Sequence, residues 1–130
     1  MPDVPARLAP HRYLSLATFR RNGSEVRTPV WFAESGDKLY VFTAGESGKV
    51  KRLRHSPAAR IAPCDARGRV VGGWLDATAR LIDTASEVER AHRTLRTKYG
   101  WQMWIADALA RVTGRYQRRA WIEIEPGSSL

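Results

Sequence analysis

Two turn signals, Asn22-Gly23 and Gly36-Asp37, cut residues 13–43 into three apolar and β-branched runs. A chain punctuated in this way folds back on itself twice. The first run, YLSLATF (13–19), puts Leu14 and Leu16 on one face of a strand. The second, EVRTPVWFAES (25–35), reads as one strand. Pro29 within it removes a ladder donor, so that strand belongs at a sheet edge or carries an irregularity there. The third, KLYVFT (38–43), completes an antiparallel meander. This order gives no support to parallel βαβ units.

The period changes after Thr43. Over residues 47–55, Val50 and Leu53 lie three apart among cations, Ser47 is suited to cap a helix, and Pro57 prevents its continuation. AARIAPCD (58–65) then reads as a short strand and RVVGGWLDATARLID (69–83) as a long one. In the latter Val71, Gly73, Leu75, Ala77, Ala79 and Leu81 share a face, and Gly72-Gly73 marks a bulge or a close backbone approach. The spacing predicts a helix over 86–99, capped by Ser86, with Val88, Ala91 and Leu95 on its apolar side and Gly100 at its end. A second helix follows, with Trp101, Trp104, Ile105, Ala108, Leu109 and Val112 on one stripe, closed by Gly114. YQRRAWIEIEP (116–126) is the last strand. Residues 1–12 are expected to form an arm, 13–126 one domain with a helical insertion at 86–113, and 127–130 a tail. Three strands, a short helix, two strands, two helices and a final strand suggest a small antiparallel barrel in a mainly-β or α+β protein.

The chain has 130 residues and a formal net charge of +9, which favours anionic partners. No apolar run approaches the ~20 residues needed to span a bilayer, and the N-terminal stretch lacks the apolar core of a signal peptide. Cys64 is the only cysteine. A disulfide framework and a cysteine-based zinc site are thereby excluded, and a reducing, cytoplasmic setting is expected. His11, His55 and His92 show no metal spacing, so no metal site is expected. Nor is there a P-loop, a nucleophile elbow or a carboxylate pair.

The stretch TAGESGKVKRLRHSP (43–57) carries the most chemistry. A helix N-terminus presents unpaired N–H groups and a partial positive charge. Ser47 and Gly48 stand where that N-terminus should be, and Gly48 lets a ligand approach the backbone. Lys49 falls in the first turn, which the helix dipole disfavours for a cation unless an anion is bound. Thr43 adds a hydroxyl. Two readings follow from these residues: a phosphate site, or a solvated basic helix with an ordinary serine cap.

The ordered set RTPVWF (27–32), LYVFT (39–43) and ESGKVKRLRHSPAARIAP (46–63) resembles the flavin-binding core of the pyridoxamine 5'-phosphate oxidase-like split β-barrel superfamily. In particular, it resembles the branch that uses the deazaflavin coenzyme F420. The similarity runs from about Tyr13 to Asp83. It implies an antiparallel split β-barrel with short peripheral helices, working as a homodimer with the cofactor in a groove between subunits. It also implies that Arg27, Thr28, Pro29 and Val30 run beside the ring system, and that Thr43, Ser47, Gly48, Lys49 and Lys51 hold the phosphate end. Gly48 stands where the FMN oxidases carry arginine. This favours coenzyme F420, with FMN as the alternative. Helices 86–112 do not match the substrate-specific region of the vitamin B6 oxidases, so that activity is not carried over.

The expected function is hydride transfer from reduced deazaflavin to an organic acceptor, with a tyrosine, an arginine or a water as proton source and no side chain acting as nucleophile. Lys51, Arg52 and Arg54 are suited to the carboxylates of the deazaflavin tail, and Arg90, Arg93, Arg96 and Lys98, on the polar side of their helix, form either a solvated face or a further site for that tail. Trp31, Trp74, Trp101, Trp104 and Trp121 serve either a flat ligand or packing. Cys64 reads as an inert buried thiol and His92 as a surface or packing residue. Three other classes stay open: an FMN oxidoreductase or oxidase of the same fold, a non-enzymatic cofactor or haem carrier, and a basic nucleic-acid-binding barrel.

Overall fold

The computed structural model describes residue 8 and residues 10–45, 47–114 and 118–127. The expected arm and tail lie mostly outside them. Seven strands form one antiparallel sheet: β1 (Tyr13–Phe19), β2 (Glu25–Trp31), β3 (Ala33–Ser35), β4 (Lys38–Ala44), β5 (Ala58–Cys64), β6 (Leu75–Ile82) and β7 (Arg119–Pro126). Three helices complete the described fold: α1 (Gly48–His55), α2 (Ala85–Tyr99) and α3 (Trp101–Val112). The sheet order is β2-β1-β5-β6-β7-β4-β3.

The two edge strands, β2 and β3, are consecutive in sequence and joined through Phe32 alone. The sheet therefore curls until its edges meet at one residue, which makes it a split β-barrel. The single strand expected over 25–35 is broken at Phe32, because its two halves serve opposite edges. Pro29 sits on edge strand β2 opposite Ser15, where its missing donor leaves no gap in an inner ladder.

Alternation divides β4, β6 and β7 between two cores. Leu14, Leu16, Val41, Ile61, Ala79, Ile122 and Ile124 fill the barrel. Register aligns them: Leu16 faces Ile61, Val41 faces Ile122, and Ile124 lies between Leu39 and Ala79. Val50 and Leu53 of α1 are buried, and Leu53 joins this core. Tyr40 and Trp121 point the other way, onto Ala91, Leu95, Tyr99 and Met103 of the two long helices.

Several boundaries differ from those read in the sequence. β6 begins at Leu75 rather than Arg69; Val70 makes one isolated bridge to Cys64, and Val71 is 54% exposed. Asp65 closes a turn here, its Oδ1 accepting from the Arg67 and Arg69 N–H groups at 3.0 and 2.8 Å. Beyond it Gly72 lies so close to Pro63 that a Cβ would stand 2.6 Å from Pro63 Cγ. α2 is capped by Thr84, whose Oγ1 accepts from the Glu87 N–H, and not by Ser86. Residues 116 and 117, expected in the last strand, lie outside the described residues.

The largest difference concerns α3. Its apolar stripe faces solvent: Trp101 and Trp104 are each 70% exposed, Leu109 61% and Val112 85%. The buried side of α3 carries Met103 and Asp107 instead.

Candidate functional site

The junction of β4 and α1 gathers the predicted phosphate-end residues. Ser47 caps α1, its Oγ accepting from the Val50 N–H at 3.4 Å. Lys49 reaches back from the first turn and donates from Nζ to Thr43 Oγ1 at 3.1 Å. Burial, and then the neighbouring Arg52, push the Lys49 ammonium below the usual lysine range. Gly48 is exposed at the head of the helix, and Lys51 points to solvent. Arg52, expected to face the cofactor's tail, turns inward, and its Nε donates to the buried Thr18 Oγ1 at 2.6 Å. Among the described residues, no carboxylate pairs with Lys49 or Arg52.

The second predicted group lies on edge strand β2. Val30 is buried in the barrel core, and Thr28 lies two residues earlier on the same face. The Thr28 Oγ1 is buried and has no hydrogen-bond partner among the described residues. Buried polar groups are nearly always paired, so this hydroxyl is suited to a ligand. Arg27 and Pro29 take the exposed face. Arg27 pairs with Glu25 and lies 4.6 Å from the centre of the Trp74 ring, which Arg60 approaches from 5.1 Å.

These two groups are not joined directly. Within one chain, no hydrogen bond, ion pair or ring contact links Arg27–Val30 to Thr43–Lys51 among the described residues. The connection is made by their neighbours. Trp31 meets Phe42 edge-on at 6.4 Å and stacks on Tyr99 at 4.7 Å. The Tyr99 hydroxyl closes the seam: it accepts from the Phe32 N–H at 3.1 Å, and the carbonyls of Phe32 and Arg12 stand 2.6 and 2.7 Å away as acceptors for its proton. Burial pushes this phenol up to about 12. Lys98 Nζ lies 3.6 Å from the Phe32 ring centre and 3.8 Å from Glu34 Oε1. That position takes Lys98 away from the solvated face expected for it.

A cleft of about 780 Å³ opens between β4, α3 and the start of β7, lined in part by Phe42, Thr43, Ala106, Leu109 and Arg119. This is the size range of small-molecule sites. Its floor rests on a charged network that the sequence did not reveal. Asp107 Oδ2 faces His92 Nε2 at 2.8 Å, and Asp107 Oδ1 accepts from Arg119 at 2.7 Å. Arg119 also lies 4.3 Å from the Phe42 ring centre. His92 is thus tied to a buried carboxylate rather than free at the surface. One signal was available: Asp107 stands four residues after Met103, on the side of α3 opposite its aromatic stripe, where a lone acid among apolar neighbours calls for a partner.

The remaining tryptophans divide by role. Trp121 is buried with Tyr40 and Met103, whereas Trp101 and Trp104 are open to solvent. Cys64 is buried, and burial raises its thiol above the usual range, as expected of an inert cysteine. Among the described residues, no group of three or more histidine, cysteine or acidic side chains is placed to hold a metal. No helix among the described residues is long and apolar enough to cross a membrane. The uncompensated cations at the head of α1 and the orphaned Thr28 hydroxyl fit an anionic, hydrogen-bonding cofactor.

A family model described as pyridoxamine 5'-phosphate oxidase matches residues 2–128. No curated protein matches significantly in sequence. Solved structures of similar fold include an F420 reductase (TM-score 0.62, 17% identity, covering 98% of this chain and 97% of that chain). The haem storage protein HutZ of Vibrio cholerae is also similar, with TM-score 0.69, 15% identity, and coverage of 99% and 93%. So is Rv2991 of Mycobacterium tuberculosis, with TM-score 0.69, 16% identity, and coverage of 93% and 76%. At these identities the likeness is one of fold.

Proposed function

Because this chain belongs to the pyridoxamine 5'-phosphate oxidase family, we propose that it is an oxidoreductase that binds coenzyme F420 at the β4–α1 junction and reduces an organic acceptor. The single observation behind this reading is the junction itself. Lys49 and Arg52 lie in the first turns of a capped helix, beside Thr43 and with glycine at position 48, and among the described residues neither has a carboxylate partner. In this reading Thr43, Ser47, Gly48, Lys49 and Lys51 hold the phosphate end, and Arg27, Thr28, Pro29 and Val30 border the ring, with the Thr28 hydroxyl as a donor or acceptor toward it. The bound deazaflavin supplies the hydride. The protein orients it, keeps water from it and balances its charge. The similarity to an F420 reductase supports this cofactor.

The protein acts as a cytoplasmic homodimer, with residues 13–126 as one domain and the helical pair as its insertion. The exposed stripe of α3 supports the dimer, because a large apolar patch on a small chain marks an interaction surface. A second copy also explains how the separated β2 and β4–α1 groups serve one cofactor. FMN on the same site is the second reading, favoured by the family match; it keeps the junction, with a flavin ring, a phosphate monoester in place of the diester and no tail carboxylates.

The test is the affinity of Lys49→Ala for coenzyme F420. Loss of a charge-assisted hydrogen bond should weaken binding about ten- to a hundredfold. Unchanged affinity would remove the junction from the cofactor site. Lys49 serves better than Ser47 here, because Ser47→Ala also removes the α1 cap, at about 1 kcal/mol of stability.

A further inference from the structure

Gly48 and Arg52 stand one turn apart on α1 and share one volume. A Cβ on Gly48 would lie 2.7 Å from Arg52 Nη1 and 3.4 Å from Arg52 Cζ. Any other residue at position 48 must displace the guanidinium. That guanidinium is anchored from behind, by its Nε hydrogen bond to the fully buried Thr18. Its forward surroundings are positive. Burial, and then the charge of Arg20, lower the proton affinity of Arg52, and Arg52 in turn bears on Lys49. Such a cluster is unfavourable by itself and becomes favourable once an anion enters it.

We propose that Arg52 is the arginine of the cofactor's phosphate site, and that its guanidinium fills from position 52 the space that a side chain at position 48 would otherwise occupy. With Nε committed to Thr18, the two Nη groups remain to donate to a phosphate. Such a fork matches two oxygens of one phosphate, which a lysine cannot do. Arg52 therefore moves from the cofactor's tail to its phosphate, and glycine at 48 relocates the cation instead of removing it. This inference rests on the β4–α1 junction being the phosphate locus.

The test is a double-mutant cycle on the full chain, titrated with coenzyme F420 and separately with FMN, with melting temperatures of each unliganded variant to establish folding. Arg52→Gln should weaken F420 binding about ten- to a hundredfold. Gly48→Ala should weaken it by a similar factor when Arg52 is present, and by less than about twofold in the Arg52→Gln background, because the displaced group is already gone. Arg52→Lys should recover little of the loss. Full affinity in Arg52→Gln, with Lys49→Ala still impaired, would overturn the role of Arg52 and leave the junction intact. Equal losses from Gly48→Ala in both backgrounds would overturn the shared volume. A wild-type protein that binds neither cofactor would overturn the junction reading and this inference with it. Gly48→Ala keeps the test open even if Arg52→Gln fails to fold, since only the end of a flexible side chain need move.

Discussion

Replacing Tyr99 by phenylalanine removes one oxygen from the seam where the two edge strands meet. The ring stays, and with it the stack on Trp31 at 4.7 Å. What is lost is the acceptor for the Phe32 N–H and the donor that serves the Phe32 or Arg12 carbonyl. Phe32 is fully buried, so water cannot take over either of its backbone groups. Each unmade bond of this kind costs about 1–3 kcal/mol, and one accepted and one donated bond go together, which gives about 2–6 kcal/mol. A chain of this length unfolds with an entropy of about 0.27 kcal/mol/K, so the melting temperature should fall by about 7–22 °C. The pH profile gives a second reading of the same oxygen. The Tyr99 phenol is pushed up to about 12 by burial, whereas in the unfolded chain it titrates near 10. Between those values the folded state holds the proton that the unfolded state has lost. Stability from this group is complete below pH 10 and falls as pH rises through 12, by about 2–3 kcal/mol. The wild-type and Tyr99→Phe stability curves should therefore converge across that window. A melting temperature within about 2 °C of wild type at neutral pH, or a gap between the curves that stays constant from pH 9 to 12, would refute the assignment of the seam to this hydroxyl.

Three further outcomes are expected. Asp107→Asn removes the carboxylate that faces both His92 and Arg119, and urea denaturation should show a loss of about 3 kcal/mol; a loss under 1 kcal/mol would show that the network does not hold α3 in place. Sedimentation of the wild type should give twice the 14.7 kDa chain mass, and Leu109→Glu with Val112→Glu should shift it toward one chain without lowering the unfolding temperature of the isolated barrel; a wild-type monomer at micromolar concentration would count against the dimer. Arg54→Ala should cost up to about fivefold in F420 affinity at low salt and nothing at high salt, as exposed ion pairs do, while leaving FMN affinity unchanged; equal effects on both cofactors would place this cation elsewhere than at the tail.

The strands were legible because alternation is local. Leu14, Leu16, Ile122 and Ile124 declare their face within a few residues of sequence, and Ser47, Val50 and Leu53 declare a capped short helix in the same way. The break at Phe32 was not legible. Nothing within EVRTPVWFAES marks the middle of the run as the place where one sheet edge becomes the other; that follows from β4 pairing with β7, some eighty residues later. In the loop 65–74 the close approach at Gly72 was legible, but the turn at Asp65, closed by its side chain onto the Arg67 and Arg69 N–H groups, was not. At the candidate site, Lys49 with Thr43 was foreseeable from spacing, and the direction of Arg52 was not, since it depends on Thr18 of β1. The stripe of α3 was read correctly as apolar, but an apolar stripe does not say whether the partner it needs belongs to the same chain.

The central claim is that the junction takes a deazaflavin phosphodiester in preference to the phosphate monoester of FMN. A diester carries about one negative charge and FMN about two near neutral pH; Lys49 and Arg52 meet the phosphate of either cofactor, and the exposed Arg54 lies further out to meet the tail carboxylates that FMN lacks. Calorimetric titration of the purified protein with each cofactor, at low and at high ionic strength, tests this directly. Coenzyme F420 should bind more tightly than FMN, with an advantage that shrinks as salt screens the tail contacts. FMN bound more tightly at every salt concentration would contradict the claim.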